Sequence, residues 1–345
     1  MGKLPAILHS LQIMKTLSVI IPCYNAEKTV GSLIKSFGSG LPWVKLIFVD
    51  DCSKDGTIGT IDKFAQESGF DYSILVNEKN SGVSFSRNRG LSVAHSEFVL
   101  FADSDDFFAP GAFEIINKAL ETEADVYLFD TLYVLGKLKR TIQGCAGALA
   151  GGIKPQEAIL SMNYAVWSKV YNLRTIAENK ILFPPMKIKE DFVFNVALLS
   201  FCTRIRYVSD FFYVYVNNSS SAMNTTPMTE DIQRTAFKVL RERIPENALP
   251  LLPVLALKDF LYEGAKNAAL ASEGTERIRC IVSEFEKEFG SQSVNLTQLH
   301  YGFYYKAMIA LLLAHSFCLF RLCVRIRALL IRGVCQGSFP QVSQE

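Results

Sequence analysis

The chain has 345 residues, a formal net charge of +2 and 49% hydrophobic residues. That length allows one large domain with a smaller appendage, or two domains, and the near-neutral balance leaves no overall nucleic-acid footprint. Eight cysteines without a C-x-x-C pair argue against a zinc site and a disulfide framework, and for a reducing compartment.

Residues 1–15 form an N-terminal extension to which no structural role is assigned; the opening stretch is too weak for a signal peptide. An apolar run at 17–22 predicts the first strand and ends in Cys23-Tyr24-Asn25-Ala26-Glu27. A helical pattern at 27–37 follows. The next strand, 46–49, ends in Asp50-Asp51-Cys52-Ser53-Lys54-Asp55-Gly56-Thr57, and a helix is expected at 57–66. A third strand at 72–76 leads into Asn80-Ser81-Gly82 and a helix at 83–94 that carries Arg87-Asn88-Arg89-Gly90. A fourth strand at 98–102 delivers Asp103-Ser104-Asp105-Asp106. Strands alternating with helices predict a parallel, right-handed βαβ sheet, with ligands beyond the strands' carboxyl ends. Three polar clusters fall on that one edge.

The second half is less regular. Helices are expected at 110–120 and 190–200, strands at 125–132 and 204–216, and a strand-like run at 164–171. A glycine-rich connection fills 144–152 and a polar loop fills 217–226. Patterns from 229 to 313 are helical. The four histidines are dispersed and read as surface or boundary residues.

Clustered carboxylates repel one another and are costly to bury without a counter-charge. A divalent cation relieves this, and oxygen ligands suit Mg²⁺ or Mn²⁺. Such an ion commonly binds a diphosphate and steadies a leaving group. Read alone, the tetrapeptide fits an acidic loop capping the next helix equally well. Tyr24 can stack on or flank a nucleotide base. Asp51, or Asp50 in its place, can accept a hydrogen bond from a ring N–H, which suits uracil; an Asx-turn is the plainer use. Arg87 can pair with a phosphate or brace Asp103.

The ordered pieces 18–25 (Ser-Val-Ile-Ile-Pro-Cys-Tyr-Asn), 49–53, 55–57, 80–82, 86–90 and 102–106 resemble the family 2 glycosyltransferases of GT-A fold. Trp167-Ser168-Lys169-Val170-Tyr171 and Lys189-Glu190-Asp191 extend the resemblance, which spans about residues 16–216. Cys52 departs from the pattern, standing where many members have glycine. The resemblance implies an α/β GT-A domain at 16–226, with a mostly parallel sheet flanked by helices and a helical extension at 227–345. It implies a metal-dependent inverting glycosyltransferase moving a hexose or N-acetylhexosamine from a nucleotide-sugar, with a UDP-sugar favoured, to a sugar hydroxyl of a growing surface glycan. By the family's pattern Asp105 ligates the Mn²⁺ or Mg²⁺, Asp103 faces the ribose or the metal beside Ser104, and Pro22 and Glu27 contact the nucleotide. Asp191 is then the catalytic base, although Glu190-Asp191 would also complement a helix dipole. Trp167, Lys169 and Glu190 would line or support the acceptor side, and Trp167 fits plain core as well. Donor, acceptor and linkage choice would rest on side chains from 144–152 and 217–226.

Residues 301–336 hold Lys306, Arg321, Arg325, Arg327 and Arg332 and no carboxylate. The apolar run at 307–320 is short of the ~20 residues that span a bilayer. A basic stripe of Arg321, Arg325 and Arg332 beside apolar residues suits a helix lying on an anionic membrane surface, one packed on the domain, or an oligomer contact. The expected setting is therefore cytoplasmic, peripheral on the inner membrane face.

A sugar-nucleotide pyrophosphorylase would need a glycine-rich basic loop after the first strand, and Cys23-Tyr24-Asn25-Ala26-Glu27 has neither glycine nor arginine. A non-catalytic binding protein on the same fold would be expected to lose acidic residues that are all present. A dehydrogenase is excluded, because no G-x-G-x-x-G follows the first strand.

Overall fold

The computed structural model describes residues 15–136, 138–216, 229–271, 274–290 and 303–337. The expected polar loop at 217–226 and the extension through residue 14 lie outside the described residues.

Strands β1 (Leu17–Cys23), β2 (Val44–Asp50), β3 (Asp71–Val76) and β4 (Phe98–Phe101) pair in parallel in the order β3-β2-β1-β4. Helices α1 (Val30–Ser36), α2 (Thr57–Ser68) and α3 (Val83–Val93) connect them. β1 has no polar alternation because both of its faces are covered. Val19 and Ile21 share a core with Leu33, Ile34 and Ile61 from α1 and α2, while Ile20 joins the opposite core with Leu91 of α3. Gly90 has a packing reason: a Cβ there would stand 2.4 Å from Cγ2 of Ile20, so α3 lies on β1 only without a side chain.

The sheet continues β4-β9-β6-β10-β5, and this half is mixed. It is built from β5 (Phe107–Phe108), β6 (Val126–Leu135), β9 (Lys169–Asn172) and β10 (Ile205–Val216), with β7 (Leu138–Ile142) beside β6 and β8 (Gly151–Ile153) beside β10. β9 runs antiparallel to both β4 and β6, whereas β10 is parallel to β6 with irregular register after Val208. Helices α4 (Ala112–Leu120), α5 (Pro155–Ser161), α6 (Leu173–Glu178) and α7 (Glu190–Leu199) complete the unit.

Sequence periodicity missed β5, β7, β8 and α5, and it extended β9 too far back. Residues 164–168 are loop, and the carbonyls of Asn163 and Ala165 turn in to accept from the Lys169 ammonium. The 144–152 stretch is anchored by a bridge from Cys145 to Met162 and ends in β8.

The C-terminal helices are α8 (Glu230–Arg241), a 3₁₀ turn (Glu246–Leu251), α9 (Leu252–Ala256), a π-turn (Leu257–Tyr262), α10 (Glu263–Leu270), α11 (Gly274–Phe289), α12 (Phe303–Leu313) and α13 (Phe317–Gly337). They share one continuous core with α7 and one face of the sheet. The rings of Phe192 and Phe237 meet at 5.5 Å across that junction. The apolar run at 307–320 is broken between α12 and α13, where His315 takes φ +55. No helix of the described residues is long and apolar enough to cross a membrane.

Candidate active site

The parallel strands end together. Cys23 sits opposite Asp50 and Ile20 opposite Phe101 in the ladders, so the loops after β1, β2 and β4 open on one edge. A cleft of about 1220 Å³ lies there, lined by Pro22, Tyr24 and Asp51 at the sheet edge and also by Gln233, Asp259 and Glu263 of the C-terminal helices.

Tyr24 is half-exposed at the mouth. Asp51 is buried, and its oxygens already accept from Asn77 Nδ2 (2.7 Å), the Ser81 amide (2.9 Å) and the Gly82 amide (2.7 Å). It therefore ties the Asn80-Ser81-Gly82 loop to β2, and lone-pair capacity for a ligand N–H is what remains. Asp50 is 1% exposed, caps the turn through the Ser53 amide at 3.0 Å, and does not line the cleft. Glu27 also stays outside the lining; its Oε2 accepts from the Gly56 amide at 3.1 Å and braces the loop after β2. Cys52 adopts φ +63, a left-handed conformation, which gives the physical reason glycine suits this position.

In the loop after β4, Asp103, Ser104 and Asp105 face the cleft while Asp106 turns inward. The Tyr213 hydroxyl donates to Asp106 (2.8 Å) and accepts from the Asp103 amide (2.9 Å), and the Val216 amide also donates to Asp106 (2.8 Å). Burial, with Asp103 close by, pushes the Asp106 carboxyl up to about 8. Asp106 thus orients the acidic loop; it does not cap α4, whose preceding residue is Gly111.

Arg87 is the hub. Its guanidinium is buried, with Nη2 at 3.0 Å from Asp103 and Nη1 at 2.7 Å from Asp191 and 3.2 Å from Glu190. Burial opposes its charge, yet Asp191, Asp103 and Glu190 together raise its pKa above the usual arginine value. Burial, then repulsion from Asp191, pushes Glu190 up to about 8. Asp191 is raised as well, by burial foremost, with Arg87 pulling the other way. Glu190 and Asp191 open α7 as the sequence predicts, next to Lys189 in a left-handed conformation at φ +71.

Trp167 lines the cleft and stacks on Tyr213 and Tyr215, with centroids at 5.0 and 5.2 Å. It is both core and wall. Lys169 is fully buried and does not reach the cleft. Its ammonium donates to the carbonyls of Asn163 and Ala165, which shapes the loop whose Val166 amide lies 3.3 Å from Asp191 Oδ2. Burial draws the Lys169 pKa down to about 7. Lys169 is a support behind the wall rather than an acceptor contact.

Among the described residues no three His, Cys, Asp or Glu side chains converge as a metal cluster. Asp103 spends Oδ1 on Arg87 and is 30% exposed at its side chain, and Asp105 faces the cleft beside it. One or two carboxylates completed by phosphate oxygens and water is the way Mg²⁺ is usually held. The residues fit a nucleotide-borne Mg²⁺ or Mn²⁺.

Sequence reading missed several supports. Asn77, just after β3, and Tyr213, within β10, hold the polar loops through side-chain hydrogen bonds that leave no motif. Asn195, one turn after Asp191, bonds the carbonyls of Asp191 (2.9 Å) and Tyr164 (2.6 Å). The i, i+4 spacing from Asp191 was its only trace. Asp259 and Gln233 reach the cleft from helices distant in sequence.

Residues 18–148 match the family described as Glycosyl transferase family 2. The chain is similar to the "Uncharacterized glycosyltransferase YibD" of Escherichia coli K12, 28% identical over 59% of this chain and 62% of that protein. It is equally similar, at 28%, to the poly(ribitol-phosphate) beta-N-acetylglucosaminyltransferase TarS of Staphylococcus aureus Mu50, over 68% of this chain and 42% of TarS. The matches thus span about half the length of these relatives. In three dimensions it resembles the crystal structure of S. aureus TarS 1–349 in complex with UDP-GlcNAc, with a TM-score of 0.67, 22% identity and 89% of each chain covered. The central sheet flanked by helices is that of the GT-A fold, and a helical C-terminal region follows it.

Proposed function

For a chain whose residues 18–148 are a glycosyl transferase family 2 domain, we propose metal-dependent, inverting transfer of a hexose or N-acetylhexosamine from a UDP-sugar to a hydroxyl of a cell-surface glycan. The observation that carries this reading is the single guanidinium of Arg87, which joins the acidic loop at Asp103 to Asp191 in one cleft. A leaving-group site and a base are thereby held within one side chain's reach. TarS, crystallised with UDP-GlcNAc, supports the choice of donor by likeness of fold.

The acceptor hydroxyl oxygen attacks the anomeric carbon from the face opposite the diphosphate. The bond from that carbon to the phosphate oxygen breaks, its electron pair leaves with UDP, and the hydroxyl proton passes to Asp191. Asp191 lies closer to the Arg87 guanidinium than Glu190 does, at 2.7 against 3.2 Å, and is the better-held carboxylate of the pair. Mg²⁺ or Mn²⁺ at Asp103 and Asp105, when bound, offsets charge on the departing diphosphate. Tyr24 flanks the base, and Trp167 with Tyr215 offers aromatic faces to a sugar ring.

We place the enzyme on the inner membrane face, through α13. Leu319, Leu322 and Ile326 are exposed on it while Phe320 and Val324 are buried against the core. The basic residues serve packing in part: Arg325 Nε donates to the Ala269 carbonyl (3.1 Å) and Arg327 lies 4.0 Å over Tyr304. The exposed apolar stripe is therefore the stronger membrane feature. A thermal-shift screen of nucleotide sugars, with and without Mn²⁺, tests the whole reading, since a ligand preferring the native state raises stability. A UDP-sugar should shift the transition further with metal present than without it; silence across the screen would refute the reading.

A further inference from the structure

Lys189 is the residue from which α7 starts, directly before Glu190 and Asp191; its carbonyl accepts from the Val193 amide at 3.1 Å. At φ +71 it lies in the left-handed region, where a residue with a Cβ is strained and persists only if its surroundings hold it. Its side chain makes no capping bond to the helix. The ammonium instead donates to Asp259 Oδ1 at 2.8 Å, across 70 positions of sequence. Both side chains are largely buried, at 14% and 8% exposure. Asp259 comes from the C-terminal helices. It lies in the π-turn, a helix defect that frequently marks functional sites, and Gln233 of α8 donates to its backbone carbonyl. Its Oδ2 has no hydrogen-bond partner among the described residues. A buried ion pair with one oxygen unsatisfied is a poor source of stability, because desolvation offsets the attraction. Lys187 and Lys258 line the same cleft and add positive charge to it, so charge balance does not account for the pair either. The strained start of α7 does.

We propose that Asp259 is a positioning residue for the base: through Lys189 it fixes the first turn of α7, and with it the place of Asp191 against Arg87. The proposal rests on the glycosyltransferase reading above. The C-terminal helices then complete the active site. The Asp191 carboxylate is held by Arg87 at 2.7 Å and by the Val166 amide at 3.3 Å. Those bonds aim the side chain, while the backbone that carries it is set two residues earlier, by the tether from Lys189 to Asp259. A misplacement of about 1 Å at a reacting group can cost about 10²-fold in rate. The nucleotide side stands apart from this tether, because Asp51 and Asp103 to Asp105 belong to the loops after β2 and β4. Loss of Asp259 should therefore slow the chemical step and spare nucleotide binding.

Three variants of the full chain test this. Asp259→Asn keeps the size but loses the charge. Lys189→Gly adopts φ +71 without strain, so the fold is kept and only the tether goes. Lys189→Arg keeps both charge and reach. UDP release from UDP-GlcNAc, UDP-glucose and UDP-galactose with Mn²⁺ gives the rates. In Asp259→Asn and Lys189→Gly, kcat should fall about tenfold or more, while the donor KM and the UDP-induced thermal shift stay as in the parent. Lys189→Arg should recover most of the lost rate. Crystals of Asp259→Asn should show Asp191 Oδ1 drawn out of hydrogen-bond reach of Arg87 Nη1. An unchanged kcat, a kcat and UDP shift that fall together, an arginine variant no better than the glycine one, or an intact contact between Arg87 and Asp191 in those crystals would each overturn the assignment. A parent protein with neither a UDP shift nor UDP release would instead sink the glycosyltransferase reading, and the crystals would still decide the tether.

Discussion

The guanidinium Nη1 of Arg87 lies 2.7 Å from Oδ1 of Asp191, across 104 positions of sequence. α3 and α7 pack on the same face of the sheet, and this ion pair sets how the start of α7 meets the acidic loop.

Asp191→Asn keeps the shape but removes the basic oxygen, and its one amide oxygen can accept from only one of Arg87 and the Val166 amide. The variant should fold, bind UDP as the parent does, and lose transfer by about 10²–10⁴-fold, the usual worth of a positioned base. Single-turnover sugar transfer beside UDP calorimetry checks this. Turnover within a few-fold of the parent would take the role away from Asp191.

Arg87→Met should be far more damaging to stability. It leaves Asp103, Glu190 and Asp191 together without a counter-charge, and removing one partner of a buried pair typically costs about 3–5 kcal/mol. Urea unfolding would show it. Arg87→Lys should recover only part, because a single ammonium cannot bond two carboxylates in fork geometry as Nη1 and Nη2 do. A lysine variant as stable as the parent would contradict the fork.

The parallel half of the fold and the carboxylate clusters were legible because each strand is a short apolar run and each functional cluster follows it directly in sequence. Glu190-Asp191 was legible too, as a charged pair opening an apolar helix. The hub role of Arg87 was only half visible: its bond to Asp103 could be weighed, but its reach to Asp191 depends on how α3 and α7 pack. Of the two uses that the sequence left open for Lys169, lining or support, the structure shows support, because the carbonyls of Asn163 and Ala165 turn in to its ammonium. Asp259 gave no signal at all, since the helix that carries it reads as ordinary apolar core.

Asp105→Ala should weaken Mn²⁺-dependent UDP binding while leaving the weak metal-free binding as it was. Asp105 faces the cleft beside Asp103, and Asp103 already gives one oxygen to Arg87. Titration of UDP with and without Mn²⁺ separates the two terms. An unchanged metal dependence would show that the loop does not hold the ion.

Stability should fall as pH rises from about 5 to 7. Glu190, raised from 4.5 to about 8, binds a proton in the native state that the unfolded chain has released across this window. Asp106, raised from 3.8 to about 8, acts in the same direction. Lys169, lowered from 10.5 to about 7, acts oppositely above that value, so the lower window isolates the carboxyls. Glu190→Gln should flatten the slope by up to about 1.4 kcal/mol per pH unit, the limit for one proton. Urea titrations at three pH values suffice, and an equal slope in parent and variant would remove Glu190 as the source.

Membrane attachment calls for surface substitution rather than truncation. Removing the chain beyond residue 302 would take Met308, Ile309, Leu312, Phe317, Phe320 and Val324 out of the shared core and unfold what remains. Changing Leu319, Leu322 and Ile326 together to Gln alters only exposed positions, and such changes usually move stability within about 0.5 kcal/mol each. Insertion of an apolar stripe into the headgroup region scales with its buried area, so the triple variant should lose co-sedimentation with phosphatidylglycerol vesicles while keeping its thermal transition and its UDP binding. Sedimentation equal to the parent's would leave α13 with only its packing role, and the arginines on it would then be explained by the Ala269 carbonyl and the Tyr304 ring alone.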